Sequence, residues 1–294
     1  MPPRALPFLV LGAGVVVVSF ASILIRFAHA EGASSLAIAA VRMTVASLVL
    51  APFAWLRTGR EILRIGQREF GLCILSGVLL AAHFWSWITS LEYTSVASST
   101  ALVTTNPLWV ALASAVFLRE RPGRAAMVGI LLTLAGSALI FSADAQNYRA
   151  GTGTSSMLGN TLALVGAIAA SGYLLVGRAL RARVSLTVYI WLAYSTAALV
   201  LLAAATATGV SFVLLSAPAW LFMVALALGP QLIGHTTFNW ALRRLTATFV
   251  AVAILGEPVG SALLAYLLLG EQFSAAQFAG FVLLLTGIFV AARD

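Results

Sequence analysis

Residues 257–290 read EPVGSALLAYLLLGEQFSAAQFAGFVLLLTGIFV, and residues 106–139 read NPLWVALASAVFLRERPGRAAMVGILLTLAGSAL. Laid on one another, they match Pro107 with Pro258, Leu118 with Leu269, Glu120 with Glu271, Gly129 with Gly280 and Gly136 with Gly287. Near the starts of the two halves, Gly14 pairs with Gly166, Ser19 with Ser171 and Arg26 with Arg178 at almost the same offset. Leu and Ala coincide often in any apolar sequence. Pro, Glu and Gly at one constant spacing do not, so the chain reads as an internal repeat.

The surroundings say what kind of repeat. The chain is 61% hydrophobic and 9% charged, where a soluble domain carries about 25% charged residues. Apolar runs of about 20 residues suit a bilayer, and ten are found: roughly 8–28, 35–56, 70–90, 95–117, 124–142, 157–178, 186–207, 218–240, 246–269 and 275–292. The first could be mistaken for a signal peptide, since AHA at 28–30 imitates a cleavage site. Its apolar stretch from Pro7 to Ile25 is too long for the usual h-region and Arg26 ends it, so a retained span is expected. Five spans per half is an odd number, so the second half must enter the membrane from the opposite side. The expected fold is an all-α integral membrane protein: ten transmembrane helices forming a 5+5 inverted-topology repeat. The halves are 1–142 and 157–294, joined by a polar extracytoplasmic linker at 143–156 (ADAQNYRAGTGTSS).

Basic residues set the orientation. With the N-terminus inside, the cytoplasmic segments hold Arg4, the cluster Arg57, Arg60, Arg64 and Arg68, then Arg119, Arg121, Arg124, Arg178, Arg181, Arg183, Arg243, Arg244 and Arg293. The other side holds only Arg149, and an even span count returns the C-terminus to the cytoplasm. The net charge of +8 is therefore topological and implies no nucleic-acid partner. Every basic residue is Arg, which excludes a P-loop lysine, a Schiff base and a Ser–Lys dyad. Cys73 is the single cysteine, expected as a small buried hydrophobe; a disulfide within the chain and a Cys-type metal site are ruled out. HExxH and GxSxG are absent and the three histidines are scattered, so an enzyme, a cofactor and a metal are not expected.

In inverted repeats, solute binds near the midplane where broken helices of the two halves meet. Pro107 and Pro258 are the matched helix breaks. Beside them stand Asn106 and Glu257, polar in both halves but charged in one. An ionisable residue at this depth faces the bundle interior or a cavity. His83 and Trp87 share one helix face at i, i+4 and offer an aromatic surface; Trp85 and Tyr93 read better as an interfacial belt. Gln231, His235 and Asn239 form a polar stripe, read equally as cavity lining or as interhelical hydrogen bonding. Arg42 could hold a substrate carboxylate, snorkel, or pair structurally. Glu120 and Glu271 are expected to pair or cap, Ser274 with Gln277 to form a capping box, and the matched glycines to permit close helix packing.

Both halves carry the same order: Pro, a run of small and apolar residues, Leu then Glu (Leu118 and Glu120; Leu269 and Glu271), and a Gly-containing last span. This resembles the EamA-type transporters of the drug/metabolite transporter superfamily, over nearly the whole chain. The resemblance implies ten helices, cytoplasmic termini and export of amino acids or other small metabolites. It names no substrate. The expectation is a secondary transporter of the bacterial inner membrane that exports small organic solutes, foremost amino acids with hydrophobic or aromatic side chains, by alternating access. Acting as a monomer in lipid, it could couple to protons through Glu257 or His83. The alternatives are export of drugs or other metabolites on the same fold, and a non-transporting scaffold or receptor, which would require neither the matched prolines nor an intramembrane Glu.

Overall fold

The computed structural model describes residues 6–117, 123–149, 155–180, 183–241 and 253–291. Every regular element among them is helical. In chain order these are α1 (Leu6–Ser19), α2 (Ala21–Ala30), α3 (Ser35–Ile62), α4 (Gln67–Tyr93), α5 (Val96–Val103), α6 (Asn106–Phe117), α7 (Arg124–Arg149), α8 (Ser156–Leu180), α9 (Leu186–Ala207) and α10 (Ala217–Leu226). A π-helical segment, Ala227–Gly234, then leads into α11 (His235–Ala241), followed by α12 (Gly256–Leu269) and α13 (Ala275–Ala291).

Serines start the helices. The hydroxyls of Ser34, Ser95, Ser185 and Ser216 accept from the backbone N–H groups of Ala37, Ser98, Val188 and Ala219, satisfying donors that a helix start leaves free. Ser274 and Gln277 form the expected reciprocal box before α13, at 2.7 and 3.1 Å. Gly270 closes α12 in the left-handed region, at φ 68°, where a Cβ would be strained. That turn carries Glu271 back onto the body of the protein.

Seven helices among the described residues are long and apolar enough to cross a membrane, and α12 and α13 are shorter apolar helices. Three expected spans are divided: residues 8–28 fall into α1 and α2 at Phe20, and two more are divided beside a matched proline. Residues 95–117 split into α5 and α6 at Thr104–Thr105, and of 246–269 the helix described begins at Gly256, with 242–252 outside the described residues. In neither does the proline itself interrupt a helix. Pro107 is the second residue of α6 and Pro258 the third of α12, first-turn positions where the missing N–H costs no intrahelical bond. The break falls just before each.

Two connections also differ from expectation. The Arg-rich stretch after residue 56 is helical to Ile62, past an internal Pro52 and a non-helical Thr58. The supposed linker at 143–156 is helix as far as Arg149, because SADAQNYR contains nothing that ends a helix before the glycines at 151 and 153.

Glycine governs the tightest packing. A Cβ on Gly129 would meet the carbonyl oxygen of Gly287 at 2.5 Å, and one on Gly136 would meet the backbone N of Leu284 at 2.5 Å. As position rises along α7 it falls along α13, so these counterpart helices run antiparallel. Counterparts α3 and α9 do the same: Ser47 bonds Ser195 at 2.7 Å, and Trp55 meets Trp191 edge-on at 5.8 Å. The largest buried core runs through α2, α3, α4, α9 and α10 and includes Cys-free packing of Ile23, Ile38, Met43, Ile88 and Leu201. Cys73 is buried in a second cluster with Leu180, Val188 and Tyr189.

Candidate functional site

At the two helix breaks the backbone has to find new partners. The Asn106 amide, oriented with its nitrogen as donor, reaches the carbonyl oxygens of Val103 at 2.9 Å and Ala167 at 3.0 Å. It thereby satisfies a carbonyl at the end of α5 and ties the break to α8 in the other half. The carbonyl of Asn106 accepts from Ser171 Oγ at 3.1 Å, and that of Glu257 accepts from Ser19 Oγ at 3.4 Å. Ser19 and Ser171 are repeat counterparts, as are Asn106 and Glu257. Each half thus steadies the other's break through the same kind of bond, and Ser261 adds a return bond to the Ser19 carbonyl at 3.0 Å.

Between the breaks lies a cavity of about 90 Å³. Arg42, His83, Trp87, Asn106, His235 and Glu257 all line it, with Phe84, Val103 and Thr104. These six residues come from five helices and span more than 200 positions of sequence, so only the fold assembles them. The space is well below the ~300 Å³ at the small end of ordinary ligand pockets.

Arg42 is the most constrained group. It is 1% exposed, and its Nε donates to Gln231 Oε1 at 2.8 Å. Its guanidinium lies 4.0 Å from the centroid of the Phe84 ring and 5.8 Å from that of Trp87, cation–π contacts that strengthen away from water. It is buried and forms no salt bridge with a carboxylate among the described residues.

His83 Nδ1 donates to the Gly166 carbonyl at 2.9 Å, and its ring stacks on Trp87 at 5.9 Å and 12°. The bond is possible because Gly166, with no side chain, lets α4 and α8 approach. Gly14, its repeat counterpart, is approached in the same way by Thr237 and Phe238 of α11.

Gln231 departs from the expected role. It is buried behind Arg42 and does not line the cavity. It sits in the π-helical segment beside Pro230, whose missing N–H favours a widened turn, so the regular i, i+4 stripe does not hold there. His235 does line the cavity, packed edge-on against Phe238 at 6.1 Å. The side chain of Asn239 lies outside the described residues, as does Glu120. Glu271, by contrast, both pairs and caps: it accepts from Arg26 at 2.8 Å and from the Val96 backbone N–H at 2.9 Å. Trp85 is exposed on the helix surface, consistent with a belt position. Phe84 is the wall residue that sequence reading missed; it neighbours His83, but only the placement of Arg42 above it gives it a role.

The comparisons agree with this architecture. The model of the EamA-like transporter family matches twice, over residues 6–142 and 157–293. A curated relative, the uncharacterized transporter YwfM of Bacillus subtilis (strain 168), is 24% identical over 274 residues, covering 88% of this chain and 85% of the relative. A chain of known crystal structure superposes with a TM-score of 0.66 at 22% identity, over 98% of this chain and 99% of that one, a likeness of fold. The protein is therefore a multi-pass membrane transporter and not an enzyme, and it belongs to the EamA-like transporter family.

Proposed function

We propose that this protein is a secondary transporter of the bacterial inner membrane that exports small organic solutes by alternating access, with hydrophobic or aromatic amino acids as the favoured substrates. One observation carries the reading. Asn106 and Glu257, each next to a matched break and each from a different half, line one cavity with an aromatic wall. A site made jointly by two halves changes accessibility when they rock against each other. Its small volume supports the same picture, since a solute of amino-acid size enters only as the halves part.

Ten spans in an inverted 5+5 arrangement, divided at the 143–156 segment and with both termini cytoplasmic, are part of this proposal. Support comes from the double family match, the antiparallel packing of α7 with α13 and α3 with α9, and the arginine distribution. Proton coupling through Glu257 or His83 belongs to it as well. Export of drugs or other metabolites remains the competing substrate class on the same site.

Counterflow in proteoliposomes is the test. Radiolabelled phenylalanine or leucine should exchange with internal unlabelled solute, and Glu257→Gln should flatten the pH dependence of net transport. Failure of every amino acid to exchange would defeat the amino-acid assignment.

A further inference from the structure

Two donors in the cavity wall have nothing to donate to. Arg42 Nη1 and Trp87 Nε1 are both buried without a hydrogen-bond partner among the described residues, although both side chains line the cavity. A buried donor left unsatisfied is costly, and a buried guanidinium without a counter-charge more so. Neither is placed by accident. The Arg42 Nε is taken by Gln231, its face by Phe84, and Trp87 is stacked flat on His83, itself tied to Gly166. What is left is two N–H groups without partners, one charged and one neutral, on side chains that line the cavity beside an aromatic wall.

We infer that Arg42 and Trp87 form a carboxylate cradle, so that this carrier recognises its solute through a carboxylate attached to a flat or apolar group. The inference rests on the transporter reading above and deepens it. A carboxylate is planar and acceptor-only, with two oxygens to meet two donors. A phosphate would bring further negative charge beside Glu257, and a cation would add its charge to that of Arg42. Glu257 lines the same cavity and makes no salt bridge with Arg42, so its carboxylate suits the ammonium group of a solute admitted as the halves part. Gln231 is a positioning residue: it touches Arg42, not the cavity. The π-helical turn that sets it there is thus part of the recognition apparatus.

The test uses purified full-length protein and four probes: L-phenylalanine, 3-phenylpropionate, L-phenylalaninamide and phenethylamine. The first two should bind, read as ligand-induced thermal stabilisation, and the two lacking a carboxylate should bind about ten- to hundredfold more weakly, the scale of a hydrogen bond to a charged group. Phenylalanine exceeding 3-phenylpropionate would identify the amino acid as the carboxylate's source, with Glu257 holding the ammonium; equal binding would identify a simple carboxylic acid. Arg42→Met should abolish the preference for acids. Trp87→Phe keeps an aromatic ring but loses the indole N–H and some packing volume, so phenethylamine serves as the control; the variant should weaken the acids about tenfold more than it weakens phenethylamine. Gln231→Leu should weaken the acids and leave phenethylamine unchanged. Equal binding of amide and acid, or undiminished acid binding in Arg42→Met or Trp87→Phe, would overturn the cradle. Counterflow with the same probes separates the two proposals. Exchange of phenethylamine but of neither acid leaves a carrier and removes the cradle; acids that bind without exchanging keep the cradle and remove the carrier.

Discussion

At the scale of single residues, acidic side chains that look alike in sequence carry very different weight. Glu271 is largely sheltered, holds Arg26 at 2.8 Å and caps α5 through the Val96 N–H at 2.9 Å, while Arg26 also donates to the Thr94 carbonyl at 3.2 Å. One carboxylate therefore joins α2, the α4–α5 corner and the end of α12. Glu69 binds Arg183 at 3.0 Å, but that arginine is 61% exposed, and surface pairs contribute about 0–1 kcal/mol. Glu271→Ala is expected to cost about 2–3 kcal/mol, from the lost cap and the stranded partner. Glu69→Ala should cost less, because solvent screens its pair. Reversible unfolding of both variants in detergent checks the order, and equal losses would refute it. A related network, His29 with Glu92 at 3.3 Å and Ser35 bonding both, lies at the adjoining ends of α2, α3 and α4.

At the scale of elements, backbone approach replaces the hydrophobic effect, since lipid tails give helices little apolar reason to associate. The α7–α13 pair is the clearest instance. At Gly136 and Gly287 an added side chain meets backbone atoms of the opposite helix, which cannot swing aside. Gly136→Val should separate the pair and destabilise the protein by at least about 1–3 kcal/mol. Gly71, inside α4, has nothing within 4 Å of an added Cβ, so Gly71→Ala should be neutral or stabilising by up to about 1 kcal/mol. Thermal unfolding of the two purified variants decides; a destabilised Gly71→Ala would mean that the free face of α4 is occupied. Both glycines were visible in the sequence, but not the difference between them. Spacing says that a glycine lies on a face, and only the fold says what faces it.

At the scale of the whole molecule, the proposed topology puts the segment around Leu63 in the cytoplasm and that around Val213 outside. Both residues are strongly exposed, at 77% and 92%. Cys73 is buried and contributes little background labelling. In intact cells an impermeant thiol reagent should label Val213→Cys, and Leu63→Cys only once the membrane is opened. Labelling of both from the same side would break the inverted arrangement. The all-helical, multi-pass character was legible beforehand because hydropathy is a property of chain order. The π-helical segment was not legible: Pro230 stood in plain view, but whether a proline bends, breaks or widens a helix depends on which neighbours complete its hydrogen bonds.

Composition and spacing alone determined that the chain is helical, lives in lipid, repeats itself, and places polar groups beside two prolines. These follow from what each segment must do to satisfy its own backbone in a bilayer. Tertiary structure alone decided that Arg42 would rest on Phe84 and Gln231, that Asn106 would bond back across the break before it, and that Glu257 would share a cavity with an arginine. Each of those partnerships joins residues far apart in the chain. Their energies depend on distance and on exclusion of water, and neither quantity exists until the helices have packed.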